Sequence, residues 1–240
     1  MNLVLDFIFI FYIGSTIGWI LELFFRRIVH GFWVNPGALI GPYLPIYGFG
    51  LCALTAIYLL FYNLSLPAIV VILLMGVAMT IIELIGGSTF VNKPVKLWDY
   101  SDRWGNYKGI ICPLFSLIWT VIGALYYYFI AGFVMSKLIW FNNNLSFSFV
   151  LGFFCGILII DFIYSTQMLS KIKKYARDNN IEVRYEEFKC QIKEFQKKQE
   201  EKYSFIFAVK PSMDLKKYID KYKRKVKKER KHQKKVMSQK

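Results

Sequence analysis

Acidic side chains are scarce in the first 170 residues of this 240-residue chain, where Asp6, Glu22, Glu83, Asp99, Asp102 and Asp161 are the full set. Histidine is scarcer still, with only His30 and His232, and no Cys-x-x-Cys pair occurs, so the sequence offers no recognisable zinc ligand set. The absence of a Gly-x-x-x-x-Gly-Lys loop excludes P-loop binding of ATP by this sequence. No serine, histidine and acid combine into an arguable catalytic set, and no cofactor is called for. The four cysteines, Cys52, Cys112, Cys155 and Cys190, make no disulfide framework and read as small buried hydrophobes.

What fills the space is apolar sequence. The chain is 55% hydrophobic, and its apolar residues gather before residue 170 in runs close to the roughly 20 residues that cross a bilayer. The charge lies elsewhere. Residues 171–240 hold 24 of the 31 Lys and Arg and 10 of the 16 Asp and Glu. The division is therefore a membrane domain over 1–169 and a basic, partly helical tail over 170–240. The fold class expected is all-α and polytopic, with spans at about 3–25, 43–62, 67–86, 110–133 and 147–169. The first run lacks a basic n-region and continues to Phe25, so it reads as a retained helix and not a cleaved signal. The second is preceded by Gly41-Pro42-Tyr43-Leu44-Pro45, a poor continuous helix that suggests a broken or re-entrant entry. Pro67 suits the first turn of the third.

Basic residues set the expected orientation. Arg26 and Arg27 follow span one, Lys93, Lys96, Arg103 and Lys108 follow span three, and the tail follows span five. The other side has only Lys137. The positive-inside rule then places the N-terminus outside and the tail in the cytoplasm.

Glu22 and Glu83 each interrupt an apolar run, where a carboxylate is costly unless it faces protein or a wet cavity. Their surroundings look duplicated. Glu22-Leu23, Val34-Asn35 and Gly41-x-x-x-Pro45-Ile46-Tyr47-Gly48 are answered by Glu83-Leu84, Val91-Asn92 and Gly109-x-x-x-Pro113-Leu114-Phe115-Ser116. Two parallel units of two helices are implied, with a site at their interface. The two glutamates either line a polar cavity as proton, cation or substrate ligands, or pair with Arg26, Arg27 or Lys93. Asn35 and Tyr47, from the duplicated segments, join them as candidates for ligand binding or ion coupling.

Further candidates are Asp99, Asp102 and Arg103, in the polar and aromatic stretch Trp98 to Trp104. There Arg103 offers a bidentate partner for carboxylate or phosphate, and the aromatic rings suit the headgroup layer. Such a loop is an interfacial anchor or a lid. Asp161, inside span five, is either a site residue or an assembly contact. Gly14/Gly18 and Gly152/Gly156 read as packing notches, and Tyr126-Tyr127-Tyr128 as an outer aromatic belt. In the tail, Ile181, Tyr185, Phe188, Ile192 and Phe195 mark an amphipathic helix. Lys221, Lys223, Arg224, Lys225, Lys227 and Lys228 lie in a basic run suited to anionic lipid. Nucleic acid ranks below lipid or a protein partner for this tail.

The ordered series Gly18-Trp19-Ile20-Leu21-Glu22, Val34-Asn35-Pro36-Gly37-Ala38-Leu39-Ile40-Gly41-Pro42-Tyr43, Ile82-Glu83, Leu97-Trp98-Asp99-Tyr100-Ser101 and Asn106-Tyr107-Lys108-Gly109 resembles the type IV ABC-transporter permease family of bacterial membrane proteins. It covers roughly residues 7–130. Pro36, Ala38 and Leu44 depart from the usual Asn-Arg-Gly-x-Leu-x-Gly-Pro-Tyr-Cys-Pro pattern, so neither that arginine nor that cysteine carries a role here. The resemblance implies a cell-membrane transport component, which would need a separate ATPase subunit if ATP powers it. Five spans, few for a monomeric transporter, favour a homodimer or hetero-complex. Two other readings stand beside it. One is a non-transporting adaptor or sensor whose working part is the tail. The other is a lipid-acting enzyme using Asp99, Asp102 and Arg103.

Overall fold

The computed structural model describes the backbone of residues 2–31, 33–62, 64, 66–90 and 95–203, and of these the side chains of all but 30, 89, 90 and 195–203. The basic run containing Lys221, Lys223, Arg224, Lys225, Lys227 and Lys228 lies outside the described residues.

The first helix, α1 (Leu3–His30), starts at an Asn2 cap and stops at Gly31, whose φ of 76° is open to glycine at little cost. Residues 33–44 then run without regular structure into α2 (Pro45–Phe61), with Pro45 in the first turn where no hydrogen bond is lost. Next come α3 (Ala68–Phe90), a two-residue strand β1 (Val95–Lys96) and an irregular segment over 97–112. Pro113 opens α4 (Pro113–Leu125), which passes through one π-helical turn (Tyr126–Ile130) into α5 (Ala131–Asn143). The remainder is α6 (Phe147–Asp178), β2 (Val183–Arg184) and α7 (Tyr185–Tyr203).

Among the described residues four helical stretches are long and apolar enough to cross a membrane: Leu3–Val29, Ala68–Ser88, Pro113–Asn143 and Phe147–Asp178. Leu21, Phe129, Phe149 and Ile160 are all more than 60% exposed along them, as side chains facing hydrocarbon would be. The second expected span is shorter. Its helix has 17 residues, about 25 Å at 1.5 Å per residue, and the chain reaches it by the irregular approach that the prolines suggested. The fourth is longer than expected, because the π turn continues the helix instead of ending it. That turn also revises one expectation. Tyr126 is turned inward, only 1% exposed, and shares a 2.8 Å hydrogen bond with the Thr55 hydroxyl, while Tyr128 remains on the outside.

Small residues bring α1 and α2 together. A β-carbon on Gly14 would stand 3.0 Å from Leu51, and those on Gly18 and Gly48 would run into Tyr47 and Ser15. α3 meets α4 in the same way, through Gly76 under Thr120 and Gly123 under Met75. Gly152 and Gly156 differ: none of the described residues outside their own helix turn lies within 4 Å of a β-carbon built there, so no notch forms against the described residues.

Two cores result. One, built on Leu54, Val71, Met75, Met79, Tyr126 and Ala131, holds the bundle. The other joins the end of α6 (Leu169, Ile172, Ala176) to Val95, Ile181, Val183, Tyr185 and Phe188. The beginning of the charged segment is thus packed against the bundle. The two strands pair in parallel, Val95 with Val183 and Lys96 with Arg184. The apolar stripe read as one helix is split. Ile181 precedes β2, after Asn180 at φ 50°, and only from Tyr185 onward is the stripe helical, with the Phe195 side chain outside the described residues.

Candidate functional site

Glu83 is only 3% exposed, on the turn of α3 that faces α4 and the 97–112 segment. Tyr100 stacks on Phe115 with ring centroids 4.3 Å apart, which directs its hydroxyl to donate to Glu83 Oε1 at 3.0 Å. Trp119, one turn beyond Phe115 on α4, donates its indole N–H to Oε2 at 2.9 Å. Both oxygens are satisfied by neutral donors, and among the described residues no Lys or Arg nitrogen comes within 4 Å of them. Burial pushes the Tyr100 hydroxyl well above its ordinary pKa, and the carboxylate beside it pushes it further, so it stays a donor at any physiological pH.

Glu22 is held differently. Tyr47 donates to Oε2 at 3.1 Å, while Arg26, one turn on along α1, donates to Oε1 at 3.2 Å. Arg26 also pairs at 2.7 Å with Glu186 of α7. Tyr47 meets Trp119 edge to face at 6.4 Å, so the partner of one carboxylate packs on a partner of the other. Glu22, Tyr47 and Glu83 line one open cavity of about 740 Å³, whose wall is mostly apolar and includes Trp98, Tyr100 and Trp119. Arg26, Glu186 and Lys189 also border it.

The segment before α2 is tied down by three polar groups. Asn35 accepts from the Trp19 indole at 2.6 Å and donates to the carbonyls of Leu39 and Ile40. Asp161 receives the backbone N–H groups of Ile40 at 3.1 Å and Gly41 at 2.7 Å, plus the Ser165 hydroxyl. Lys189, from α7, donates to the carbonyl oxygens of Asn35 and Gly37. Burial lowers the pKa of its ammonium to about 8; nearby Arg26 pulls the same way and Glu186 opposes it.

The 97–112 segment is braced by its own residues and by β2. Asp99 accepts from the Ser101 hydroxyl and backbone N–H, pairs with Lys96 at 2.9 Å, and stands 3.6 Å from Arg184. Burial alone would raise its pKa, but the hydrogen bonds from Ser101 and Lys96 together hold it below the ordinary carboxylate value. Lys96 also reaches Glu182 at 3.0 Å. Asp102 and Arg103 are exposed and border no part of the cavity.

The fold therefore gathers Glu22, Glu83 and Tyr47 on one cavity wall, places Asn35, Asp99 and Asp161 as clamps on the connecting segments, and leaves Asp102 and Arg103 outside. The sequence reading did not single out Trp119 or Lys189. Trp119 carried a faint signal, an indole N–H in mid-span beside Ser116 and Thr120. Lys189 carried none, being one lysine among many in a charged segment.

Comparison with known proteins supplies one match. A family described as "Putative ABC-transporter type IV" fits residues 9–166, from within α1 to within α6, taking in both glutamates and leaving α7 outside. No curated protein and no solved structure matches the chain. On the family match, which spans well over half of its length, the chain belongs to the type IV ABC-transporter family, as a multi-pass, permease-type membrane component and not an ATPase.

Proposed function

We propose that this chain is the membrane permease part of a transport system and that the cavity shared by Glu22 and Glu83 is its substrate or coupling site. The observation that carries the reading is the cavity itself. Carboxylates 61 positions apart in sequence border one space of about 740 Å³ within a membrane protein of a transporter family. That volume lies in the range of small-molecule sites. The chain has no P-loop, so ATP-driven transport requires a separate ATPase subunit, with a homodimer or hetero-complex as the working unit.

The duplication belongs to the same proposal. Pro45 and Pro113 both open the second helix of their unit, and Gly37 (φ 70°) and Gly105 (φ 65°) stand at matching distances before them. In each unit a glutamate of the first helix accepts from a tyrosine hydroxyl. For orientation, the basic connections and the basic tail favour an outside N-terminus and cytoplasmic α7. The composition of the run Lys221 to Lys228 suits anionic lipid of the inner leaflet. One observation favours the adaptor reading as second choice: the start of the tail is fastened to the bundle by a core of its own and by ion pairs from Arg26, Lys96 and Arg184.

Accessibility tests the reading. In a cysteine-free background, Ile82→Cys or Ala38→Cys, both on the cavity wall, is expected to react with a membrane-impermeant maleimide in inside-out vesicles and to be protected in sealed right-side-out ones. Failure to react from either side, with full reaction after denaturation, would show that no wet cavity exists and remove the proposal.

A further inference from the structure

Taking the cavity as the site, we infer that Glu83 makes it a receptor for an apolar cation, a quaternary ammonium or phosphonium centre attached to hydrocarbon. Glu83 is almost fully buried, and among the described residues its two oxygens accept from the neutral donors Tyr100 and Trp119 alone. Hydrogen bonds support such a carboxylate without cancelling its charge, and a buried charge lacking a counter-charge is costly. The wall is therefore one positive charge short at that point. The other acid within the bundle wall, Glu22, already has Arg26. The two cationic side chains bordering the cavity are engaged, Arg26 by Glu22 and Glu186, and Lys189 by two backbone carbonyls.

The surroundings select the kind of cation. Tyr47, Trp98, Tyr100 and Trp119 border the same space, and their ring faces attract a cation whose charge is spread over an apolar shell. A hydrated Ca²⁺ or Mg²⁺ needs about six or more oxygen ligands, and the described residues hold no group of three or more acids, histidines or cysteines placed to bind a metal. An anion would meet Glu83 in a mostly apolar space. The geometry leaves a bulky organic cation.

Gly86 permits a clean test, because it lies one turn from Glu83 on the cavity wall. A β-carbon there would make only ordinary contacts, 3.4 Å to Ile46 and 3.8 Å to Trp98. Gly86→Lys brings an internal ammonium within i,i+3 reach of the carboxylate, whereas Gly86→Met adds similar bulk without charge. The full chain, purified in dodecyl maltoside, is titrated with radiolabelled tetraphenylphosphonium by equilibrium dialysis, and with its isosteric anion tetraphenylborate. Saturable binding of the cation and not the anion is expected. Glu83→Gln and Gly86→Lys should each weaken it about tenfold or more, and Gly86→Lys should weaken it several-fold more than the uncharged Gly86→Met. Gel filtration confirms that each variant is folded, and the Gly86 pair keeps the test decisive if Glu83→Gln is not. Competition by short-chain phosphatidylcholine would identify the cation as a lipid headgroup; competition by decyltrimethylammonium alone would identify a free amphiphile. Equal binding of the anion, or cation binding indifferent to Glu83→Gln and Gly86→Lys, overturns the cation assignment and leaves the transport cavity standing. If neither probe binds and Ile82→Cys is closed to maleimide, the cavity reading falls as well.

Discussion

Glu22 and Glu83 sit in similar sequence on α1 and α3, yet the protein treats them in opposite ways. Glu22 is partly accessible, shares its charge with Arg26, and through it is linked to Glu186 on α7. Glu83 is buried to 3% exposure at the cavity wall, and among the described residues its side-chain partners are the neutral donors Tyr100 and Trp119. The connecting segments differ likewise. Residues 33–44 have Asn35 as an internal clamp but are also held by groups that arrive from elsewhere, Asp161 on α6 and Lys189 on α7. Residues 97–112 are braced largely from within, by Asp99 with Ser101 and by Asn106, before β1 pairs with β2. Similar motifs thus give one half whose glutamate pairs with an arginine and one half whose glutamate meets neutral donors.

The sharpest way to break this contrast is to remove the Glu83 side chain. Glu83→Ala leaves the Tyr100 hydroxyl and the Trp119 indole N–H without their acceptor in a buried place, at about 1–3 kcal/mol for each orphaned donor. The loss should show as a lower unfolding midpoint in detergent, clearly larger than that of Glu22→Ala. Equal losses would mean that the two glutamates are held alike.

Lys189 sharpens the contrast from the side of the first unit. Its pKa falls from an ordinary 10.5 to about 8 on burial. Between those two values the unfolded chain binds more protons than the folded one, so stability rises with pH across that window and not below it. The gap corresponds to at most about 3 kcal/mol. Chemical unfolding followed from pH 7.5 to 10 is expected to show the rise in the wild type and its absence in Lys189→Met. A rise that persists in Lys189→Met would assign the titration to another group.

Helix contact gives a smaller effect. A β-carbon at Gly48 meets the Ser15 hydroxyl and stands 2.6 Å from the Phe11 carbonyl oxygen, a backbone atom of α1 that cannot swing aside. Gly48→Ala is expected to cost about 1–3 kcal/mol, and Gly132→Ala, where none of the described residues comes within 4 Å, to cost nothing measurable. Thermal unfolding of the two variants side by side decides it.

These contrasts also mark how far the sequence could be read. The apolar runs, the proline-led entry to α2 and the prominence of the two glutamates were legible because each follows from a local rule: span length, a missing N–H, the cost of a charge in hydrocarbon. Tyr126 was misplaced because a π turn changes which face a residue occupies, and no local pattern of Tyr126-Tyr127-Tyr128 announces it. Asp161 was legible as a site residue or an assembly contact because it is a lone acid in a span; its partners on the segment before α2 are backbone N–H groups 121 and 120 positions away, which have no side-chain signature. Lys189 was hidden by its neighbours, since composition makes the charged segment look uniformly solvated while the fold selects one lysine for burial.

The smallest expected effect is the most direct check on the comparison. Glu22→Gln removes a charge but keeps a side chain that can still accept a hydrogen bond from Tyr47, and Arg26 retains Glu186 at 2.7 Å. A partly exposed ion pair within one helix turn contributes little, so the stability change should stay under about 1 kcal/mol. The same conservative change at Glu83 places an amide beside Trp119, which can only donate, so the amide oxygen must face the indole and the Tyr100 hydroxyl must turn to accept from the amide N–H₂, a rearrangement in a largely buried place. Unfolding of Glu22→Gln and Glu83→Gln under one set of conditions should therefore separate them with Glu83 the more sensitive. If Glu22→Gln is the more damaging, Arg26 depends on Glu22 rather than on Glu186, and the link between α1 and α7 is weaker than the 2.7 Å contact implies.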